Sequence, residues 1–242
     1  MKKKVTMQHI ADALYISKNS VSQALSGKGG VSEDYINAVI QTGIPAVLID
    51  HHHPRVQADC ILTNNRFGAY DAVQHLVELG HRDIGFAGNT RFSPSYYERL
   101  EGYMMGLEDH HLAPNPDFIL NDAQEDMDAL LHQLSLLKRQ PTAWFCVNDA
   151  LGLLLNSGLQ KLGLSVPEDV SVCSFDNGQL SRISTPPTTS IEVNLPLFAL
   201  KAVEQLTWRM ENRDQPFVEI LLPTALIPRE STGVCTRVGQ LV

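Results

Sequence analysis

A regular alternation of short apolar runs with longer stretches of helical spacing, from Ala46 to Leu222, restricts the fold more than any other feature. The runs Ala46-Val47-Leu48-Ile49, Cys60-Ile61-Leu62, Ile84-Gly85-Phe86-Ala87, Phe118-Ile119-Leu120, Ala143 to Val147, Val170 to Phe175 and Glu219 to Leu222 read as strands. Residues 68–79, 96–111, 126–137, 150–162 and 197–211 read as the helices between them. In the first of these, Ala69, Ala72, Val73, Leu76 and Val77 share one face, and Gly80 supplies the stop. Such alternation predicts parallel sheets covered by helices, an α/β architecture. With 242 residues, 43% of them hydrophobic, the chain can bury a sizeable core in one large or two modest domains.

Ligands of open α/β sheets bind at the carboxyl ends of the strands. There the sequence places Asp50, Asn148-Asp149 and Asp176-Asn177, with Arg99 joining from the start of its helix. Carboxylates, an amide and a guanidinium converging on one cleft can hydrogen-bond several hydroxyls at once, which is how a polar, sugar-like ligand is held. Asp and Asn after a strand also cap helices and form turns, so spacing alone leaves both roles open.

The charge is uneven. Residues 1–32 carry five lysines and one acid, whereas the remainder carries 14 basic and 26 acidic residues, for a net −8 overall. A basic head on an acidic body locates any phosphate-binding surface in the head, although a solvated lysine tail has the same composition. Thr6 can cap a helix from Met7 to Leu14, with Ile10, Ala11 and Leu14 on one face. Tyr15-Ile16 forms a short turn, and Ser17 caps a second helix from Lys18 to Leu25, with Val21, Ala24 and Leu25 inward. Gly27 to Gly30 ends the unit, and Ser32 caps a third helix. Two short helices joined by a tight turn can place the second in a major groove. Its outer face, Lys18, Asn19, Ser20, Ser22 and Gln23, can donate to phosphates or read base edges. An ordinary polar helix face carries the same residue types.

Val5-Thr6-Met7-Gln8-His9-Ile10-Ala11, Val21-Ser22-Gln23-Ala24-Leu25-Ser26-Gly27 and Val31-Ser32-Glu33 resemble the DNA-binding head of the lactose-repressor (LacI/GalR) family of bacterial transcription regulators. The resemblance implies that Lys18, Asn19 and Gln23 occupy base-reading positions. It puts Thr6, Ser17, Ser20, Ser22 and Ser26 at phosphate-contacting ones. Gln23 stands where Arg is frequent.

Motifs of the same family run through the body. Leu79-Gly80-His81-Arg82-Asp83-Ile84-Gly85-Phe86-Ala87-Gly88, Arg99-Leu100-Glu101-Gly102-Tyr103, Phe145-Cys146-Val147-Asn148-Asp149 and Val170 to Asp176 are similar to its sensor signatures. Pro187 to Ile191 and Arg229 to Thr232 are similar to its closing motifs. Ser174 replaces the usual Gly. The implied fold is an all-α helix-turn-helix head on an α/β, periplasmic-binding-protein-like sensor with two parallel-sheet lobes. The implied effector contacts are Arg99, Asn148 and Asp176, with Phe67 lining the pocket.

The two halves of the resemblance meet badly. The head runs to Asp34, and Tyr35 to Pro45 already resembles the helix end and turn leading into the third sensor strand. The junction reads as an internal deletion that removes the hinge region and the first part of the sensor, leaving the first lobe incomplete with an exposed sheet edge. The expected domains are a head over 1–34 and an effector-binding domain over 35–242. Lobe one takes about 35–90 and 195–222, and lobe two about 91–194 and 223–242. The implied function is a sugar- or sugar-phosphate-responsive repressor that binds a DNA operator as a homodimer and its effector between the lobes. The alternative is a sugar-binding remnant without DNA regulation.

Other classes find little support. Cys60, Cys146, Cys173 and Cys235 lie far apart with no C-x-x-C spacing, which argues against a zinc site and fits a reducing cytoplasm. His51-His52-His53 has no second ligand cluster nearby in sequence and reads as a loop. No G-x-S-x-G, P-loop or H-E-x-x-H pattern points to an enzyme, and no cofactor is expected. No apolar run reaches the roughly 20 residues of a membrane helix, and Met1-Lys2-Lys3-Lys4 leads into polar residues, unlike a secretory signal.

Overall fold

The computed structural model describes residues 43–50 and 57–236. The expected DNA-reading residues (Thr6, Ser17, Lys18, Asn19, Ser20, Ser22, Gln23 and Ser26), the junction at Asp34-Tyr35 and the His51–His53 tract lie outside the described residues. The chain divides into two compact units, one of residues up to 61 with 200–220, the other of 62–199 with 221 onward.

In the first unit, β1 (Val47–Ile49) runs parallel to β2 (Asp59–Thr63), pairing Val47 with Asp59 and Ile49 with Ile61. With β8 (Glu219–Leu222) they form a three-stranded sheet ordered β1-β2-β8, so among the described residues β1 has a single neighbour. Asp50 ends β1 in the left-handed region, at φ 52°, and its amide donates to the Ile61 carbonyl. Asp59 is fully buried and is answered by Arg209, whose Nε and Nη2 both donate to its carboxylate at 2.7 Å. Gln205 Nε2 and the Val218 amide also donate to it, each at 3.0 Å.

The second unit holds a six-stranded sheet ordered β4-β3-β5-β6-β7-β9. Its strands are β3 (Ile84–Ala87), β4 (Ile119–Leu120), β5 (Ala143–Cys146), β6 (Ser171–Asp176), β7 (Thr189–Val193) and β9 (Thr224–Ile227). Helices α1 (Asn65–Glu78), α2 (Pro94–Asp109), α3 (Met127–Leu136), α4 (Asp149–Lys161) and the short α5 (Gln179–Ile183) belong with it, and α6 (Leu195–Glu211) spans the division between the units. Side-chain caps start three of the helices. Ser93 accepts from the Tyr96 amide, Asp126 from Ala129 and Asn148 from Leu151.

Three elements depart from the sequence expectation. Thr189–Val193 is a strand whose polar residues mask its signal: the Ser190 hydroxyl donates to Asp149, and the Thr189 hydroxyl to the Arg229 carbonyl. β9 pairs antiparallel with β7, so this sheet is mixed and not purely parallel. The helical turn α5 carries too few residues for a periodic pattern. The second unit takes in residues 62–90, and within it β3 pairs in parallel with β5, Ile84 against Ala143 through Ala87 against Cys146.

The core of this unit gathers Phe86, Tyr103, Trp144, Phe145 and Phe175, all fully buried. Helices α1 and α2 approach closely at Gly102, where a Cβ would overlap the Arg66 carbonyl oxygen. The order β4-β3-β5 means that the chain leaves β3 first to one side and then to the other. That reversal opens a crevice at the carboxyl ends of β3 and β5.

Candidate functional site

Arg99, one turn into α2, sits beside that crevice in the second unit. Its Nε donates to Asn65 Oδ1 at 2.9 Å, and its Nη1 donates to the Val147 carbonyl at 2.5 Å and to Asp176 Oδ1 at 3.2 Å. Its guanidinium carbon lies 3.7 Å from the centre of the Phe175 ring and 5.6 Å from that of Tyr96. Cation–π contacts of this kind strengthen as water is excluded. Asn65 extends the network, donating from Nδ2 to Glu98 Oε2 at 2.9 Å. Among the described residues nothing accepts from Arg99 Nη2.

Asp176 closes β6, and it and Asn177 both take positive φ, 104° and 50°. Asp and Asn tolerate this region better than other non-glycine residues. The turn leaves the Asp176 side chain 45% exposed while its partner Arg99 is 4% exposed. Asn177 is turned inward: its Nδ2 donates to Glu192 Oε1 at 3.0 Å, and Arg229 Nη2 donates to its Oδ1.

Asn148 and Asp149 divide their work. Asn148 caps α4 with its oxygen, and its amide nitrogen donates to the Tyr96 hydroxyl and to Glu125 Oε1, both at 2.6 Å. Asp149 points into the protein, accepting from the Ser174 and Ser190 hydroxyls at 2.6 and 2.7 Å and from the Gly178 amide at 2.6 Å. Ser174, the departure from the expected glycine, is therefore a donor to a buried carboxylate, and Gly152 leaves room for its Cβ.

The structure thus brings Arg99, Asn148 and Asp176 to one edge of the sheet. Phe67 stands in the first turn of α1 with its ring exposed, and among the described residues no ring or hydrogen-bond contact joins it to Arg99. Asp50 lies in the other unit. Sequence reasoning missed Asn65, Tyr96 and Glu125. Tyr96 was within reach, three residues before Arg99 on one helix face. Glu125 lies five residues past the end of β4, outside the positions directly after a strand that the sequence analysis singled out.

Burial raises the Tyr96 phenol above its ordinary pKa, and the nearby Asp176 carboxylate adds to this. Two surface cavities lie elsewhere. One of about 150 Å³ is lined by Pro45, Ala58, Arg209 and Phe217 among others, and one of about 480 Å³ by Met104, His111, Leu112 and Pro114 among others. Among the described residues no group of three or more His, Cys, Asp or Glu could hold a metal ion, and no helix is long and apolar enough to cross a membrane.

Residues 73–232 match the model of the periplasmic binding protein-like domain. Over 173 residues the chain is 34% identical to the HTH-type transcriptional repressor PurR of Vibrio campbellii, a match covering 71% of this chain and 52% of the relative. It is 32% identical over 191 residues to the ribose operon repressor of Haemophilus influenzae, covering 78% and 57%. Among solved structures, a LacI family transcriptional regulator from Enterococcus faecium with bound ribose superposes at a TM-score of 0.74 and 27% identity, over 84% of this chain and 77% of that one. A putative LacI regulator from Bacillus cereus gives the same score and identity over 84% and 73%. The chain spans about half the length of the relatives it matches. Those relatives are transcriptional regulators and not enzymes by name. The six-stranded sheet and these matches converge: the chain belongs to the family of the periplasmic binding protein-like domain.

Proposed function

We propose that this chain is a DNA-binding transcriptional repressor controlled by a small polyhydroxy effector, sugar-like in chemistry, held at the Arg99–Asp176 edge of the second unit. The carrying observation is the pairing of a buried guanidinium from α2 with a half-exposed carboxylate at the end of β6. Asp176 offers acceptors, Arg99 Nη2 and the Tyr96 hydroxyl offer donors, and a hydroxyl-rich ligand uses both. The ribose held by the Enterococcus faecium regulator supports the ligand class. That the relatives are named repressors favours regulation over a sugar-binding remnant.

In this reading the basic head, residues 1–34, binds a palindromic operator through Lys18, Asn19 and Gln23 as a homodimer, and effector binding shifts the head's affinity for DNA. Thermal melts of the full chain with a panel of sugars test the sensor, because a ligand that binds the folded state raises the midpoint. Gel-shift titrations of operator DNA with and without the stabilising sugar test the regulator. A chain stabilised by a sugar that leaves DNA affinity unchanged would be a binding module without regulation.

A further inference from the structure

The hydrogen-bonding capacity of Asn148 is spent inside the protein. Its oxygen caps α4, and its two N–H groups serve the Tyr96 hydroxyl and Glu125 Oε1. What it presents to a ligand is therefore its two partners. Glu125 is exposed, and among the described residues only its Oε1 accepts, leaving Oε2 with an acceptor to offer. The Arg99 charge is already opposed by Asp176 at 3.2 Å. Glu125 thus adds a carboxylate beside a guanidinium that is already paired. Tyr96 stands beside it: its hydroxyl accepts from the same Asn148 amide that holds Glu125.

We propose that Glu125 sets the charge class of the effector: held by Asn148, its carboxylate admits an unphosphorylated polyhydroxy ligand and excludes a phosphorylated one. This rests on the sensor reading above. A hydroxyl donates to Glu125 at no electrostatic cost. A phosphate brings negative charge, and it meets a second carboxylate where the Arg99 guanidinium is already paired with Asp176. Glu125 acts by position, being fastened to the same Asn148 that caps α4, and a fastened charge discriminates better than a mobile one.

The test is calorimetric titration of the full chain, wild type and Glu125→Gln, with D-ribose and D-ribose 5-phosphate, then with D-glucose and D-glucose 6-phosphate. Gln keeps the oxygen that accepts from Asn148 and removes the charge. For the pair that binds, the wild type is expected to hold the phosphate at least about tenfold more weakly than the free sugar, and Glu125→Gln to narrow that gap by about tenfold. The free sugar should bind both proteins within about threefold. Equal wild-type affinity for sugar and phosphate, or a gap unchanged by Glu125→Gln, would overturn the role of Glu125 while leaving the sensor reading intact. If no member of either pair binds, the sensor reading and the role of Glu125 fall together.

Discussion

Arg99 and Asp176 meet at 3.2 Å in opposite surroundings, the guanidinium almost wholly buried and the carboxylate close to half exposed. One partner belongs to the fold and the other to the surface. Replacing them therefore has unequal effects. Arg99→Ala strips Asn65 Oδ1 and the Val147 carbonyl of their donor and removes the contact with Phe175, which costs about 2–4 kcal/mol of stability. Asp176→Asn keeps size and shape at an open position and changes stability by no more than about 1 kcal/mol. Its effector affinity should still drop about 10–100-fold. Melting curves and sugar titrations on the same samples separate the two, and an Asp176→Asn variant that binds as the wild type does would remove Asp176 from the site.

The first unit depends on a different ion pair. Burial pushes the Asp59 carboxyl up, but hydrogen bonds from Arg209, Gln205 and the Val218 amide outweigh it and hold the group below its ordinary value. A carboxyl depressed in the folded state contributes fully above its unfolded pKa, near 3.9, and that contribution is lost as pH falls through the folded value. Stability measured by denaturant titration should decline below about pH 4, and Asp59→Asn should flatten the decline. At pH 7 the same substitution leaves the Arg209 charge buried without its counterion and costs about 3–5 kcal/mol. A loss under 1 kcal/mol would mean that the pair is dispensable.

His81 gives a pH dependence in a higher range. Its Nε2 lies 3.0 Å from the Ser171 hydroxyl and 3.1 Å from the Gly233 carbonyl, and its buried Nδ1 has no partner among the described residues. Burial lowers its pKa, although the Gly233 carbonyl opposes this. The folded state resists the proton that the unfolded chain takes up near pH 6.5. Stability is thus complete above about pH 6.5 and decreases as pH falls toward the folded value. His75, also lowered by burial, adds a slope of the same sign. Midpoints followed from pH 7.5 to 5.5 should fall, and His81→Asn should make the fall shallower. An unchanged slope would assign the effect to other groups.

Gly102 tests the packing beneath the site. A methyl group there meets the Arg66 carbonyl oxygen and Ala69, so α1 and α2 must separate. Gly102→Ala is expected to cost about 1–3 kcal/mol, although alanine is the better helix former by about 1 kcal/mol. An increase in melting temperature would show that the helices have slack.

Much of this architecture was legible in local sequence. Apolar runs and helical spacing located β3 and β8 to the residue, and Asn148 takes the helix-capping role left open for an Asn after a strand. The hydroxyl-rich strand Thr189–Val193 was not legible, because its polar groups are satisfied by Asp149 and Arg229, 40 or more residues away. The same limit governed the site. Asn148 and Asp149 are neighbours of equal promise on paper, yet one holds Tyr96 and Glu125 at the site while the other is turned inward against Ser174 and Ser190.

What the sequence by itself determined is where strands end, which helices follow them and that Asp176 closes one of those strands. Only the tertiary structure decided which polar groups are committed within the protein and which are left exposed. Periodicity and capping act within a few residues along the chain. The assignment of a donor or an acceptor is settled by partners that the fold alone brings together, and a buried polar group must take such a partner wherever one is supplied.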